Sequence, residues 1–167
     1  SGLAISPRRA EYFSAGMAKT GVDFALQPGA VSVGGQVTSN SSPVSNTWVG
    51  YNNSDLRIYI QNLTDSSGNY QFTNLPLGEG EIHVEPPTGT NLAFAGTDVN
   101  LTGNVTGLDF SLVAGTCISG TVVNENSIGL GSVRVEFQSE LHNSFRETFT
   151  DAGGNFNICN LPQGNGW

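Results

Sequence analysis

Lysine is almost missing from this chain: Lys19 is the only one in 167 residues. Charge of either sign is scarce, at 12% of residues, about half the usual share of a soluble domain. What remains is acidic, with a net charge of −8. Binding to nucleic acid draws on clustered Lys and Arg that displace counterions from phosphate. The only basic cluster is Arg8-Arg9 with Lys19 further on, and Glu11 partly offsets it, so no nucleic-acid partner is expected. Long apolar runs are missing too. No stretch approaches the ~18 residues of a membrane span, so no membrane-spanning segment is expected.

Chemistry-bearing motifs are equally sparse. The two histidines, His83 and His142, sit in no metal-ligand or nucleophile motif. No Gly-rich phosphate loop, His-Glu helix or Gly-x-Ser-x-Gly elbow occurs. No cofactor and no enzymatic activity are expected. His83 lies in Glu81-Ile82-His83-Val84-Glu85, in phase with the glutamates, which places it on a solvent face; His142 falls in a polar loop.

Glycine is what the chain has instead, 22 residues of it with seven prolines, punctuating a sequence that repeats. Thr64-Asp65-Ser66-Ser67-Gly68-Asn69-Tyr70 recurs as Thr150-Asp151-Ala152-Gly153-Gly154-Asn155-Phe156, 86 residues on. Asn74-Leu75-Pro76-Leu77-Gly78 recurs as Asn160-Leu161-Pro162-Gln163-Gly164 at the same offset. Gly21-Val22-Asp23-Phe24-Ala25-Leu26 recurs as Gly107-Leu108-Asp109-Phe110-Ser111-Leu112, again 86 residues on. Separate motifs sharing one period mark a tandem repeat.

The motifs read as strands and turns. Val22, Phe24 and Leu26, like Leu108, Phe110 and Leu112, alternate with polar or small neighbours, a half-buried strand with Asp23 or Asp109 on the wet face. Val33-Gly34-Gly35-Gln36-Val37 is matched by Ile118-Ser119-Gly120-Thr121-Val122, and strand-interior glycine marks a bulge or a close backbone approach. Thr47, Val49 and Tyr51 are matched by Val133, Val135 and Phe137. Asp-x-x-Gly-Asn is hairpin chemistry, with Asp opening the turn and Gly taking the positive φ. No helical period occurs. Short strands with a turn signal about every ten residues predict an all-β fold, a β-sandwich.

These residues carry a resemblance. Gly21 to Gly29 followed by Val33-x-Gly35-x-Val37, and Leu108 to Leu112 leading into Ile118-Ser-Gly-Thr-Val, resemble the junction between tandem carboxypeptidase regulatory-like domains. The Thr-Asp-x-x-Gly-Asn-aromatic run and the Asn-Leu-Pro-x-Gly after it are similar to that family's central hairpin. The resemblance implies a transthyretin-like, Greek-key sandwich of about seven strands, with adhesive, scaffold or accessory roles at the cell surface or outside the cell. Some related surface domains weld themselves with a Lys–Asn isopeptide bond; residues 20 to 167 hold no lysine, so the complete repeat has none to use.

The phase of the repeat sets the expected organisation. Residues 30–114 form one complete repeat. Residues 1–29 match the closing strands of a preceding or complemented repeat. Residues 115–167 match the opening part of the next, without its closing strands. A severed sandwich exposes unpaired edges, so the working object is expected to be larger than this chain. It is either a window on a continuous array or a subunit whose N-terminal strands complete the next copy. Copies of itself, head to tail, are the expected partner.

Four surface features complete the reading. Asp65 and Asp151 superficially resemble acidic calcium loops, but one carboxylate per loop falls short of the six to eight oxygens calcium takes, and the turn reading is preferred. Cys117 and Cys159 both lie in the last, partial repeat, opposite Val31 and Thr73 of the first at the 86-residue offset. Alternation puts both on outer faces, which permits a disulfide closing a loop of about 40 residues, worth ~4 kcal/mol on the chain-entropy model. Two free thiols are the alternative. Sequons occur at Asn40, Asn52, Asn62, Asn100 and Asn104, all in the complete repeat, and covalent glycans are expected there as against an ordinary polar β surface. Trp48 points away from the face of Thr47 and Val49; with Trp167, Tyr51 and Tyr59 it is a candidate sugar-stacking platform as well as a packing residue. The expected protein is thus an extracellular or cell-surface structural protein, a fibril or stalk of glycosylated tandem sandwiches. An adhesin or carbohydrate-binding repeat is the first alternative, and a non-catalytic region of a larger secreted enzyme the second.

Overall fold

The computed structural model describes Gly16, Ala18, residues 20–23, 31–139 and 145–164, and Gly166. Arg8, Arg9, Glu11, Lys19, the Phe24 to Leu26 part of the first strand motif, His142 and Trp167 lie outside the described residues. Those described are all-β, with no helix among them. In chain order the strands are β1 (Val31–Ser39), β2 (Ser42–Pro43), β3 (Trp48–Asn53), β4 (Ile58–Leu63), β5 (Asn69–Leu75), β6 (Gly78–Glu85), β7 (Ala95–Leu101), β8 (Val105–Thr106), β9 (Phe110–Ser111), β10 (Thr116–Thr121), β11 (Arg134–Gln138), β12 (Phe145–Phe149) and β13 (Asn155–Leu161).

The first nine strands make a two-sheet sandwich. One sheet runs β2-β1-β5, with β8 and β9 both parallel to β1 on its other side; the second runs β4-β3-β6-β7. The alternation seen in the sequence is the inner face. Val33, Val37, Tyr70 and Phe72 from one sheet meet Val49, Tyr51, Ile82 and Val84 from the other, all buried, with Phe110 and Leu112 closing the side. Each such side chain contributes about 1.5–3 kcal/mol by leaving water. Gly35 answers to a close approach. A Cβ there would lie 2.0 Å from the Leu108 carbonyl oxygen, so only glycine lets the chain before β9 lie against β1.

The remaining four strands pair as β10-β13 and β11-β12, and they repeat the β1-β5 and β3-β4 pairings of the first sandwich. Val33 stands opposite Phe72 and Gly35 opposite Tyr70; Ile118 stands opposite Ile158 and Gly120 opposite Phe156. The ladder slips at the same place in both, between Val31 and Val33 and between Thr116 and Ile118. Val37 N–H donates to Gly68 O and Val122 N–H to Gly154 O. The Thr64 hydroxyl donates to Val44 O while accepting from Thr47 N–H; the Thr150 hydroxyl donates to Leu130 O and accepts from Val133 N–H. The registers also correct one correspondence. The opening strands align at 85 residues and the hairpin strands at 86, because the second β-turn region is one residue longer. Cys117 therefore stands where the first unit has Ser32, not Val31.

The Asp-x-x-Gly-Asn turns are identical in wiring. Asp65 Oδ1 accepts the N–H groups of Ser67 and Asn69 at 2.8 and 2.9 Å, and Asp151 Oδ1 those of Gly153 and Asn155 at 2.8 and 2.9 Å. Gly68 and Gly154 hold φ of +74° and +83°. Both carboxyls are pulled below the ordinary Asp value of 3.8, Asp65 chiefly by the Asn69 N–H and Asp151 chiefly by the Asn155 side chain. A depressed carboxylate stabilises the fold above its unfolded pKa, and that stability is lost as pH falls through the folded value. The expected outcome is that both turns keep their carboxyl-to-amide hydrogen bonds at pH 4 and lose them on further acidification. Carboxyl titration by NMR checks it; Asp65→Ala abolishes the effect in the first turn alone.

Candidate functional site

One place stands out: the joint between the two sets of strands. The joint is built from the loop leaving β6, the short link into β10 and the end of β13. Ala93 N–H donates to Val113 O at 2.8 Å, Gly115 N–H to Asn91 O at 2.9 Å and Phe94 N–H to Asn160 O at 3.2 Å. Asn160 is the residue that the Asn-Leu-Pro motif holds at a φ of +63°. Its side-chain amide donates to Thr90 O at 2.9 Å.

Phe94 reaches across this joint. It is buried in a small cluster with Ile158 and Leu161, with Val135, Phe137 and Phe156 around them, so the second core is seeded by a side chain of the first unit. Arg146 stacks over the Phe94 ring, its guanidinium carbon 4.4 Å from the centroid. The same guanidinium forms a two-pronged pair with Glu85, Nη1 to Oε1 at 3.0 Å and Nη2 to Oε2. Both partners are partly covered, which makes this pair worth more than a fully solvated one.

Asn160 belongs to the repeated Asn-Leu-Pro motif, but Phe94 and Arg146 were not singled out by the sequence. Phe94 lies in Asn91-Leu92-Ala93-Phe94-Ala95, an apolar run between repeat motifs with no alternation to assign it a face. That isolation was the one available signal.

His83 keeps its expected outward place and is half-buried there. Its strand position faces outward, but the ring stacks on Tyr59 with centroids 5.6 Å apart and covers Gly50, where a Cβ would lie 2.2 Å from the imidazole. Burial pushes its pKa down, so it is a neutral cover for the outer sheet face. Among the described residues no cluster of three or more His, Cys, Asp and Glu is arranged to hold a metal. No helix of the described residues is long and apolar enough to cross a membrane.

Cys117 and Cys159 are joined by a disulfide across β10 and β13. The five sequons fall at different kinds of position. Asn40, Asn62, Asn100 and Asn104 are exposed and Asn52 is half-buried. The Asn62 amide donates to Gln71 O at 2.8 Å, and Asn104 Oδ1 accepts from Ser32 N–H at 2.9 Å. Asn52 and Asn100 border an acidic groove with Asp55, Glu79, Glu81 and Asp98, where burial and Asp98 together raise the Glu81 carboxyl. Trp48 is 43% exposed while Thr47 and Val49 are fully buried, and its neighbours across the sheet are Leu63 and Glu85. Tyr51 is wholly buried and so takes no part in a surface platform.

No protein-family model and no curated protein matches this sequence. Among solved structures the chain is similar to the shaft pilin SpaA of Lactobacillus rhamnosus GG, at 10% identity and a TM-score of 0.43, over 79% of this chain and 82% of that one. It is similar to a Streptococcal ancillary pilin at 16% identity and TM-score 0.41, over 79% of this chain and 50% of that one. A DUF3823 family protein of Parabacteroides merdae follows at 13% and 0.41, over 78% and 79%. The chain spans about half the length of the ancillary pilin. At such scores these likenesses carry no inference about function.

Proposed function

We propose that this chain is an extracellular or cell-surface structural protein whose tandem β-sandwich units join head to tail into a fibril or stalk. The observation that carries this reading is the joint. Two units with the same hydrogen-bond wiring are fixed to one another by shared backbone hydrogen bonds, one shared core residue and a buttressing ion pair. Such a joint sets an angle between successive units, which is what a stiff linear polymer requires and an enzyme does not. The unit boundaries at 30–114, flanked by 1–29 and 115–167, belong to this proposal, as does kinship with the carboxypeptidase regulatory-like repeats, which rests on the quoted motifs. The chain is non-catalytic in this reading. Negative-stain imaging of native material is the test: filaments are expected, and monodisperse compact monomers overturn the reading.

Glycans at Asn40, Asn62, Asn100 and Asn104 would give a weakly charged fibre a hydrated coat, and these four present exposed asparagines. Intact mass of native material is expected to exceed the bare 17.5 kDa, with peptide mapping placing the excess on those four before Asn52. A mass equal to the bare chain refutes the coat. The exposure of Trp48 favours one second reading, an adhesin that stacks a sugar on the indole. Glycan-array binding that is lost in Trp48→Ala would support it; no binding by either form removes it.

A further inference from the structure

One edge of the first unit presents a row of open backbone groups. Among the described residues β4 pairs with β3 alone. Thr64 N–H donates to Thr47 O at 3.0 Å, and bonded and unbonded pairs alternate along an antiparallel ladder. With Val49 opposite Asn62 and Tyr51 opposite Ile60, it is Ile58, Ile60 and Asn62 that bond to β3. Tyr59, Gln61 and Leu63 turn their N–H and C=O groups to the open side. Their side chains are exposed too, Tyr59 and Leu63 at 45% each.

The same edge recurs in the second unit. Thr150 N–H donates to Val133 O at 2.9 Å, so on β12 it is Phe145, Glu147 and Phe149 that turn outward. β4 is followed in the chain by β5 to β13 and β12 is preceded by β1 to β11, so the opening belongs to the unit itself. Other edges are blunted, as exposed strands are in soluble proteins. β2, β8 and β9 have two residues each, and β2 ends in Pro43. β7 sets Asp98 beside Glu81, so a like strand there would bring carboxylates together. The open side of β5 is taken by the Asn62 amide, which donates to Gln71 O at 2.8 Å. β12 carries Glu147 at the centre of its outward row. β4, Ile58-Tyr59-Ile60-Gln61-Asn62-Leu63, has no charge, proline or glycine, a composition that favours strand pairing.

We propose that β4 pairs antiparallel with β4 of a second copy about a two-fold axis at Gln61, joining the two sheets edge to edge. The row is self-complementary. Centring on Gln61 sets Tyr59 opposite Leu63 of the second copy and Gln61 opposite its own equivalent, and each pair exchanges both N–H···O bonds. Tyr59 then packs on the second copy's Leu63, a favourable cross-strand pair. The absence of charge selects the occupant. In a chain of net charge −8 copies repel, and β4 is an edge at which two approach without setting carboxylate against carboxylate.

The contact is lateral. It goes beyond the head-to-tail reading and does not depend on it; in a fibril it ties neighbouring shafts side by side. It does bear on the coat. Asn62 stands opposite the fully buried Val49, on the inner side of β4, and a glycan on its amide would emerge at this edge in the partner strand's path. Pairing and an Asn62 glycan therefore exclude each other, and occupancy at Asn62 decides between a coated unit and a paired one.

The test uses the chain made without glycans. Sedimentation equilibrium is expected to show a concentration-dependent dimer, as an interface this small requires. On dimerisation, amide exchange at Tyr59, Gln61 and Leu63 slows by roughly tenfold, while Phe145, Glu147 and Phe149 are unchanged. Gln61→Lys sets two ammonium groups against each other on the axis and weakens the dimer by at least about tenfold. Unaltered exchange over 31–37 shows that this variant is folded. Mixing Gln61→Lys chains with Gln61→Glu chains restores pairing, because the axis then holds opposite charges; each alone stays monomeric. A chain monomeric at every soluble concentration overturns the proposal. So does a dimer that protects β7 or β12 instead, or one indifferent to Gln61→Lys. Head-to-tail filaments without protection at these three amides overturn the lateral contact and leave the filament reading standing.

Discussion

Replacing Cys117 and Cys159 together by serine is expected to destabilise the second unit by about 4 kcal/mol while leaving the first unchanged. The bridge closes a separation of 42 residues, and a loop of that length restricts the unfolded chain by about that much on the entropy model. The second unit has little else to draw on. Its buried cluster comprises Phe94, Ile158 and Leu161, against fourteen buried residues in the first core, and each of its sheets has two strands among the described residues. A domain's whole net stability is of order 5–15 kcal/mol, so a loss of this size to the smaller cluster approaches unfolding. Hydrogen exchange with peptide resolution checks it. In the double variant, peptides covering 116–121 and 155–161 exchange much faster, and the peptide covering 31–37 does not. Equal rates in both units would show that the unfolded chain gains nothing from release of the loop.

The contrast between the two units also explains which parts of the fold were legible in the sequence. Alternation in Val33 to Val37, Thr47 to Tyr51 and Tyr70 to Phe72 assigned those side chains to the inner face, and all-β sheets with that face buried are what the chain forms. Asp65 and Gly68 announced their turn because carboxylate and positive φ are local requirements. Neighbours were another matter. Alternation states which way a side chain points and is silent on what lies across from it. Nothing in Leu108-Asp-Phe-Ser-Leu says that it runs parallel to β1. His83 was assigned to an outer solvent face and lies on that face half-buried, because Tyr59 stacks against it from the far side of β3. Ile118 points inward as its pattern requires and is still 42% exposed, since a face is buried only when something covers it. The joint was the least legible. Arg146 and Glu85 are 61 residues apart, and Phe94 belongs to no repeat motif, so no periodicity relates them.

Gly35→Ala is expected to cost the first unit about 3 kcal/mol or more, whereas the matching Gly120→Ala leaves the separate chain nearly as stable as before. The difference lies in what each Cβ would meet. At Gly35 it would lie 2.0 Å from the Leu108 carbonyl oxygen and 2.5 Å from its carbon. That is backbone, with no rotamer to turn aside. Overpacking alone costs 1–3 kcal/mol. Here relief requires the strand itself to move, which weakens the Leu108–Gly34, Asp109–Gln36 and Tyr70–Leu108 hydrogen bonds, each worth about 1 kcal/mol, and uncovers Phe110 and Leu112. At Gly120 the nearest atoms are the ring of Phe156, at 2.8 Å, a half-buried side chain in an open unit that can swing away. Urea titration of the two variants measures the gap, and equal losses would mean that the approach of Leu108 to β1 is incidental.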